Sequence, residues 1–107
     1  MGVRSREILR ELIAFPTVSV EPNRALIDYC ADLLTACGAR VEIIPDEAAG
    51  KANLFATLGP PDRPGVLLSG HTDVVPVEGQ AWSKPRFELT EEAGKLFERG
   101  TCDMKGF

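Results

Sequence analysis

Two short segments carry the side chains in this sequence that are able to do chemistry. In LLSGHTDVVP, starting at Leu67, the only histidine, His71, closes an apolar run and Asp73 follows two positions later. Residues two apart in an extended backbone face the same side, so the carboxylate can hold one ring nitrogen and leave the other for a metal. The end of a buried strand suits such a site, because ligands of open α/β sheets gather at the carboxyl ends of strands. A plainer reading stands beside it: a partly buried imidazole hydrogen-bonded to an acid in a turn. The second segment, ERGTCDMKGF from Glu98, sets Asp103 between Gly100 and Gly106. Glycines reach backbone conformations that other residues resist, so this loop can bring a carboxylate close to a metal. Its plainer reading is a solvated turn aspartate.

These residues need elements to position them. From Val3 to Phe15, the spacing of Ile8, Leu9, Leu12, Ile13 and Phe15 predicts a helix with one apolar face, stopped by Pro16. Asn23 is a candidate N-cap for a second helix whose apolar stripe runs from Leu26 to Cys37, with Gly38 in the left-handed position just past its end. ARVEIIP and KANLFATLG read as strands, followed by a turn from Pro60. Val66 to Ser69 is the pattern of a strand covered on both faces. Helices followed by such strands predict an α/β layered fold with a mixed sheet between helices. The polar stretch from Glu78 to Lys95 reads as a long surface loop ending in a short strand or hairpin.

Composition narrows the classes. At 107 residues, 44% apolar and 26% charged, the chain is one domain or part of one, without collagen-like or low-complexity character. A net charge of −4 with both signs scattered argues against nucleic-acid binding. No apolar run approaches the ~20 residues that span a bilayer, so no membrane anchor is expected. The N-terminus lacks the apolar core of a secretory signal, which predicts a cytoplasmic protein. Cys30 and Cys37 lie seven apart in a predicted helix, about 10 Å between Cα atoms and beyond disulfide reach. With Cys102 unmatched, free thiols are expected.

SGHTDVVP followed ~30 residues later by GTCDMKGF resembles the N-terminal signature of the two-zinc amidohydrolases. That family includes aminoacylase, carboxypeptidase G, succinyl-diaminopimelate desuccinylase and acetylornithine deacetylase. The resemblance covers most of the chain, and KANLFATLGP, RPGVLLSGHTDVVPVEGQAW and GT-x-DMKGF look most like the acetylornithine deacetylase branch. It implies that residues 1–107 are the N-terminal portion of a zinc-peptidase-like catalytic domain, incomplete as given, without the dimerisation or lid domain. His71 and Asp103 would bind metal, Asp103 bridging two Zn2+, with Co2+ or manganese also suited to such ligands. Asp73 would be the catalytic acid behind His71, not itself a ligand. In relatives the peptide after the bridging aspartate is often cis, here Asp103–Met104.

The reaction implied is hydrolysis of the N-acetyl amide of N-acetylornithine to ornithine and acetate, a step in making arginine, by an intact homodimer acting on a small N-acyl amino acid. Paired metals acidify a shared water and polarise the amide carbonyl, and a glutamate base moves the proton to the leaving amine. That base and the remaining ligands are expected beyond Phe107. Each zinc takes at least three protein ligands, so this chain by itself is expected to hydrolyse nothing. Two other readings remain open: the same chemistry on another N-acyl amino acid or a dipeptide, and a truncated, non-catalytic product or partner of an intact homologue.

Three departures from the family pattern touch the site. Glu98 stands where a glycine is usual before the Arg99–Gly100 step, KPRF replaces Asp-Pro-Phe after Trp82, and Cys102 replaces a small apolar residue. Alternation along an extended segment turns Cys102 towards the core as a buried, unreactive thiol rather than a ligand or redox switch. Trp82 is expected to anchor the long loop, and Lys105 to be solvated or paired with a carboxylate. Arg99 can pair with either Asp103 or Glu98.

Overall fold

A computed structural model describes residues 2–107, in the order α1 (Val3–Ala14), α2 (Arg24–Ala36), β1 (Arg40–Asp46), β2 (Lys51–Thr57), β3 (Thr90–Glu92) and β4 (Lys95–Phe97). The chain divides into two units, one formed by Met1–Glu21 with Gly70–Phe107 and the other by Pro22–Ser69. Among the described residues no helix is long and apolar enough to cross a membrane.

The first unit carries both chemistry-bearing segments. Its helix α1 ends because the ring of Pro16 disfavours helical geometry at the residue before it; Phe15 is extended at φ −78°, ψ 115°. The buried stripe is Leu9 and Ile13, the latter fully inaccessible, and it packs with Leu89 and Leu96. Leu89 immediately precedes β3 and Leu96 lies within β4, in a hairpin that is antiparallel with Thr90 opposite Phe97. Ala93 and Gly94 turn the hairpin with both φ positive, 51° and 74°, the handedness that matches strand twist. An exposed Arg6–Glu91 ion pair at 3.1 Å joins α1 to β3, a contribution of under about 1 kcal/mol.

In the second unit, α2 buries Leu26, Ile27 and Ala31 and packs on the β1–β2 hairpin. Gly38 takes φ 87°, with Ala39 N–H on the Leu34 carbonyl (3.0 Å) and Gly38 N–H on that of Thr35 (2.9 Å). That closes the helix as the sequence predicts. Asn23 sits at the N-cap position, yet its side chain caps nothing. Instead it reads the backbone of Ala52, accepting from N–H at 2.8 Å and donating to the carbonyl at 3.1 Å, which ties the helix start to β2.

The α/β class holds, whereas the mixed sheet is corrected. The strands form two separate antiparallel pairs, β1–β2 and β3–β4, and the parallel component is a single bridge between Val18 and Val74. The central strand expected at Val66 to Ser69 is also absent: Val66 is 89% exposed, and Leu67 and Leu68 are similarly open. A strand apolar on both faces needs neighbours on both edges and cover on both faces. Among the described residues nothing pairs with it.

Ile13→Ala removes a fully buried side chain from the first unit and is expected to cost about 2–5 kcal/mol in urea unfolding. Val3→Ala, on the exposed start of the same helix, should stay within about 0.5 kcal/mol.

Candidate metal centre

The geometry of the site begins with a backbone clamp. Segment 17–19 runs beside segment 72–74: Val74 N–H donates to the Thr17 carbonyl (2.9 Å), Ser19 N–H to the Val74 carbonyl (3.0 Å), and the Thr17 hydroxyl to the Thr72 carbonyl (2.6 Å). Thr17 and Val74 are both buried. Asp73 is thus held between two anchored neighbours, and its Oδ2 accepts the Ser19 hydroxyl at 2.7 Å. That hydrogen bond, with a smaller contribution from the nearby His71, holds the Asp73 carboxyl below its ordinary value against the opposing effect of partial burial.

His71 lies between two carboxylates. Its Nδ1 is 3.1 Å from Asp73 Oδ1 and 3.2 Å from the Asp73 carbonyl oxygen, while Nε2 is 3.2 Å from Asp103 Oδ1. The His–x–Asp pairing expected from spacing is therefore formed, and Asp103 is brought to the opposite ring nitrogen.

The turn carrying Asp103 is wound tightly enough to need its glycines. Gly100 has φ 95°, and a Cβ there would lie 2.9 Å from Val74 Cγ1; at Gly106 it would lie 2.1 Å from the Thr101 carbonyl oxygen. The Thr101 hydroxyl closes back on the Glu98 carbonyl at 2.9 Å, and Phe107 N–H on that of Met104 at 2.9 Å. The Asp103–Met104 peptide is cis, as the resemblance implies. Lys105 is corrected: it is buried, and its ammonium donates to the Phe15 carbonyl at 2.7 Å, fastening the turn to the end of α1.

Cys102 is corrected as well. It is exposed, because residues 98–106 coil through turns and the alternation rule holds only for extended chain. None of the three cysteines forms a disulfide among the described residues. Trp82 anchors its loop by donating from Nε1 to the Val77 carbonyl at 3.2 Å. Arg99 pairs with neither acid considered for it; its guanidinium bonds Gln80 and lies 4.8 Å over the Trp82 ring.

A cavity of about 190 Å³ opens among His71, Asp73, Glu98, Arg99, Cys102 and Asp103. Glu98, the departure from glycine, is only 8% exposed. Its Oε1 accepts Arg99 N–H at 2.6 Å, and its buried Oε2 has no hydrogen-bond partner among the described residues. Burial pushes this carboxyl above its ordinary value. Thr17, Ser19 and the inward position of Glu98 are contributions that sequence reasoning missed. The first two lie about 55 residues from the groups they hold, and no local pattern signals that pairing.

The donor set fits a divalent cation. A neutral imidazole carries one N–H, and ionised carboxylates only accept, so a single ring proton cannot serve both acids. A metal held by His71 and Asp103, with Nδ1–H on Asp73, would satisfy these contacts. The 3.2 Å gap is also close to the separation of about 3.4 Å between two ligands of one tetrahedral zinc with bonds near 2.1 Å. His71 and Asp103 are 48% and 81% exposed at the side chain, open enough for further ligands. Among the described residues no group of three or more His, Cys, Asp or Glu is arranged to hold a metal, so these two would form only part of a ligand set.

Because the folded state raises the Glu98 carboxyl, it binds that proton more tightly than the unfolded chain does. The stability Glu98 contributes is complete in acid, below the ordinary carboxylate value, and is lost as pH rises through the raised one. Glu98→Gln cannot titrate there, so its thermal midpoint should gain on that of the wild type as pH rises above the ordinary carboxylate value; midpoints that stay parallel as pH rises would contradict the assignment.

Comparison with known proteins agrees with the motif reading. Residues 67–107 match the model of peptidase family M20/M25/M40. The chain is 46% identical over 108 residues to an acetylornithine deacetylase of Proteus mirabilis (strain HI4320), covering 94% of this chain and 28% of that protein. It is 47% identical over 103 residues to one from Pasteurella multocida (strain Pm70), covering 90% and 27%. The crystal structure of human carnosine dipeptidase 1 is similar with a TM-score of 0.80 and 31% identity, over 96% of this chain and 25% of that one. The chain thus spans somewhat over a quarter of the length of the relatives it matches. Residues 67–107, which carry His71, Asp73 and Asp103, are thus similar to peptidase family M20/M25/M40.

Proposed function

We propose that this chain supplies the first ligands of a metal-dependent amidohydrolase centre, and that the protein it forms part of releases ornithine and acetate from N-acetylornithine. The observation that carries the reading is His71 held between Asp73 and Asp103, with one ring nitrogen engaged and the other facing a second carboxylate. The substrate follows from the similarity to acetylornithine deacetylases over 94% of the chain, and a role in arginine biosynthesis follows from the substrate.

A metal at this site supplies a Lewis acid for the amide carbonyl and an acidified water at neutral pH. His71 and Asp103 bind it, zinc and cobalt both suiting these donors. Asp73 keeps the proton on Nδ1 and orients the ring, which raises the basicity of the free nitrogen. Asp103, 81% exposed at the side chain, is the residue proposed to bridge two cations. Neither Asp73 nor Glu98 is placed as the base that moves a proton to the leaving amine. That base and the remaining ligands, together with a homodimeric assembly, are part of the same proposal.

A second reading, hydrolysis of a dipeptide, is favoured by the likeness to carnosine dipeptidase 1. Both readings share the metal chemistry and differ in the group on the amine side of the cleaved amide.

The test sets the complete gene product, loaded with Zn2+ or Co2+, against N-acetylornithine, other N-acetyl amino acids and dipeptides. N-acetylornithine is expected to have the highest kcat/KM, with activity lost to a chelator and restored by either metal. The 107-residue chain alone should release no ornithine. A dipeptide as best substrate selects the second reading, and chelator-resistant hydrolysis overturns both.

A further inference from the structure

We infer that Ser19 is a positioning residue for His71, its hydroxyl holding one oxygen of Asp73 so that the other stays on the ring. The inference rests on the metal-binding reading of His71. The two oxygens of Asp73 work in opposite directions, Oδ2 accepting from Ser19 Oγ at 2.7 Å and Oδ1 facing His71 Nδ1 at 3.1 Å. Rotating the carboxylate away from the imidazole breaks the shorter of these contacts. The constraint has something to restrain, because Asp73 is 51% exposed at the side chain and water competes for both oxygens. Ser19 can act as the fixed end because its backbone is anchored, its N–H on the Val74 carbonyl at 3.0 Å beside the Val18–Val74 bridge. The geometry forms a line from Ser19 to Asp73 to His71 to the open Nε2, and a carboxylate held in this way fixes both tautomer and ring plane of a ligating histidine.

A merely structural role is already filled by other groups. Three hydrogen bonds that do not use the Ser19 hydroxyl join segment 17–19 to segment 72–74, namely those from Val74 N–H, Ser19 N–H and the Thr17 hydroxyl. The hydroxyl also lies 3.2 Å from the Val74 carbonyl, which the Ser19 N–H already engages. Removing it therefore loosens the carboxylate while leaving the clamp in place. Ser19 is exposed, so a threonine methyl is accommodated there with the hydroxyl retained.

Ser19→Ala and Ser19→Thr separate the two roles. Zn2+ is titrated into the complete gene product carrying each substitution while the His71 ring signals, assigned by their loss in a His71→Ala control, are followed by NMR, and thermal midpoints are recorded in parallel. Losing the partner of a ligating histidine typically weakens metal binding about 10- to 100-fold. Ser19 acts one bond further out, so the loss expected in Ser19→Ala is nearer the lower figure. Its midpoint should be unchanged, and Ser19→Thr should bind like the wild type. Wild-type affinity in Ser19→Ala overturns the inference alone. So does a weakened affinity that comes with a lowered midpoint and is not rescued by threonine. A wild-type chain whose His71 does not respond to Zn2+ overturns the metal-binding reading and this inference with it.

Discussion

A single imidazole facing two carboxylates is the constraint on which the rest of the site depends. His71 has one proton to give when neutral, while Asp73 and Asp103 present acceptor oxygens at 3.1 and 3.2 Å from its two nitrogens. A cation on the Nε2 side removes the conflict without protonating the ring. A site in which two like-charged acids converge on one small ring has no obvious value to folding alone, and surface ion pairs as exposed as these contribute under about 1 kcal/mol.

Much of the first unit is arranged around keeping that convergence. The Thr17–Ser19 segment fixes Asp73 from one side, and it does so directly after α1, whose end is set by Pro16. From the other side, the buried Lys105 fastens the Asp103 turn to the Phe15 carbonyl at the end of the same helix. Both acids are therefore referenced to one short stretch of backbone, residues 15–19, and that stretch is held down by Leu9 and Ile13 in the core. The glycines permit the turn's close approaches, since side chains at Gly100 and Gly106 would collide with Val74 and Thr101.

Local pattern made part of this legible in the sequence. Helical spacing located α1 and α2 almost to the residue, Gly38 ended α2 with the positive φ expected, and short β-rich segments, alternating in the first and mixed in the second, located β1 and β2. His71, Asp73 and Asp103 were legible because their spacing and glycine context match a known motif, and the structure brings them together. What failed depended on partners distant in the chain. Val66 to Ser69 has the composition of a buried strand, but pairing decides whether a strand exists and composition does not. Asn23 has the right identity for a cap and is drawn instead to Ala52 on β2. Cys102 was turned inward by a rule for extended chain in a segment that coils. Ser19 and Lys105 serve the site across 54 and 90 positions, separations over which a single sequence carries no signal.

The most direct measurement is nitrogen-15 NMR of the His71 ring in the complete gene product during addition of Zn2+, the His71 signals being assigned by their loss in a His71→Ala variant. If Asp73 orients the ring and Asp103 shares the cation, Nε2 takes the metal-induced shift while Nδ1 keeps its proton and its coupling. A metal on Nδ1, or a ring whose two nitrogens respond alike, would contradict the account.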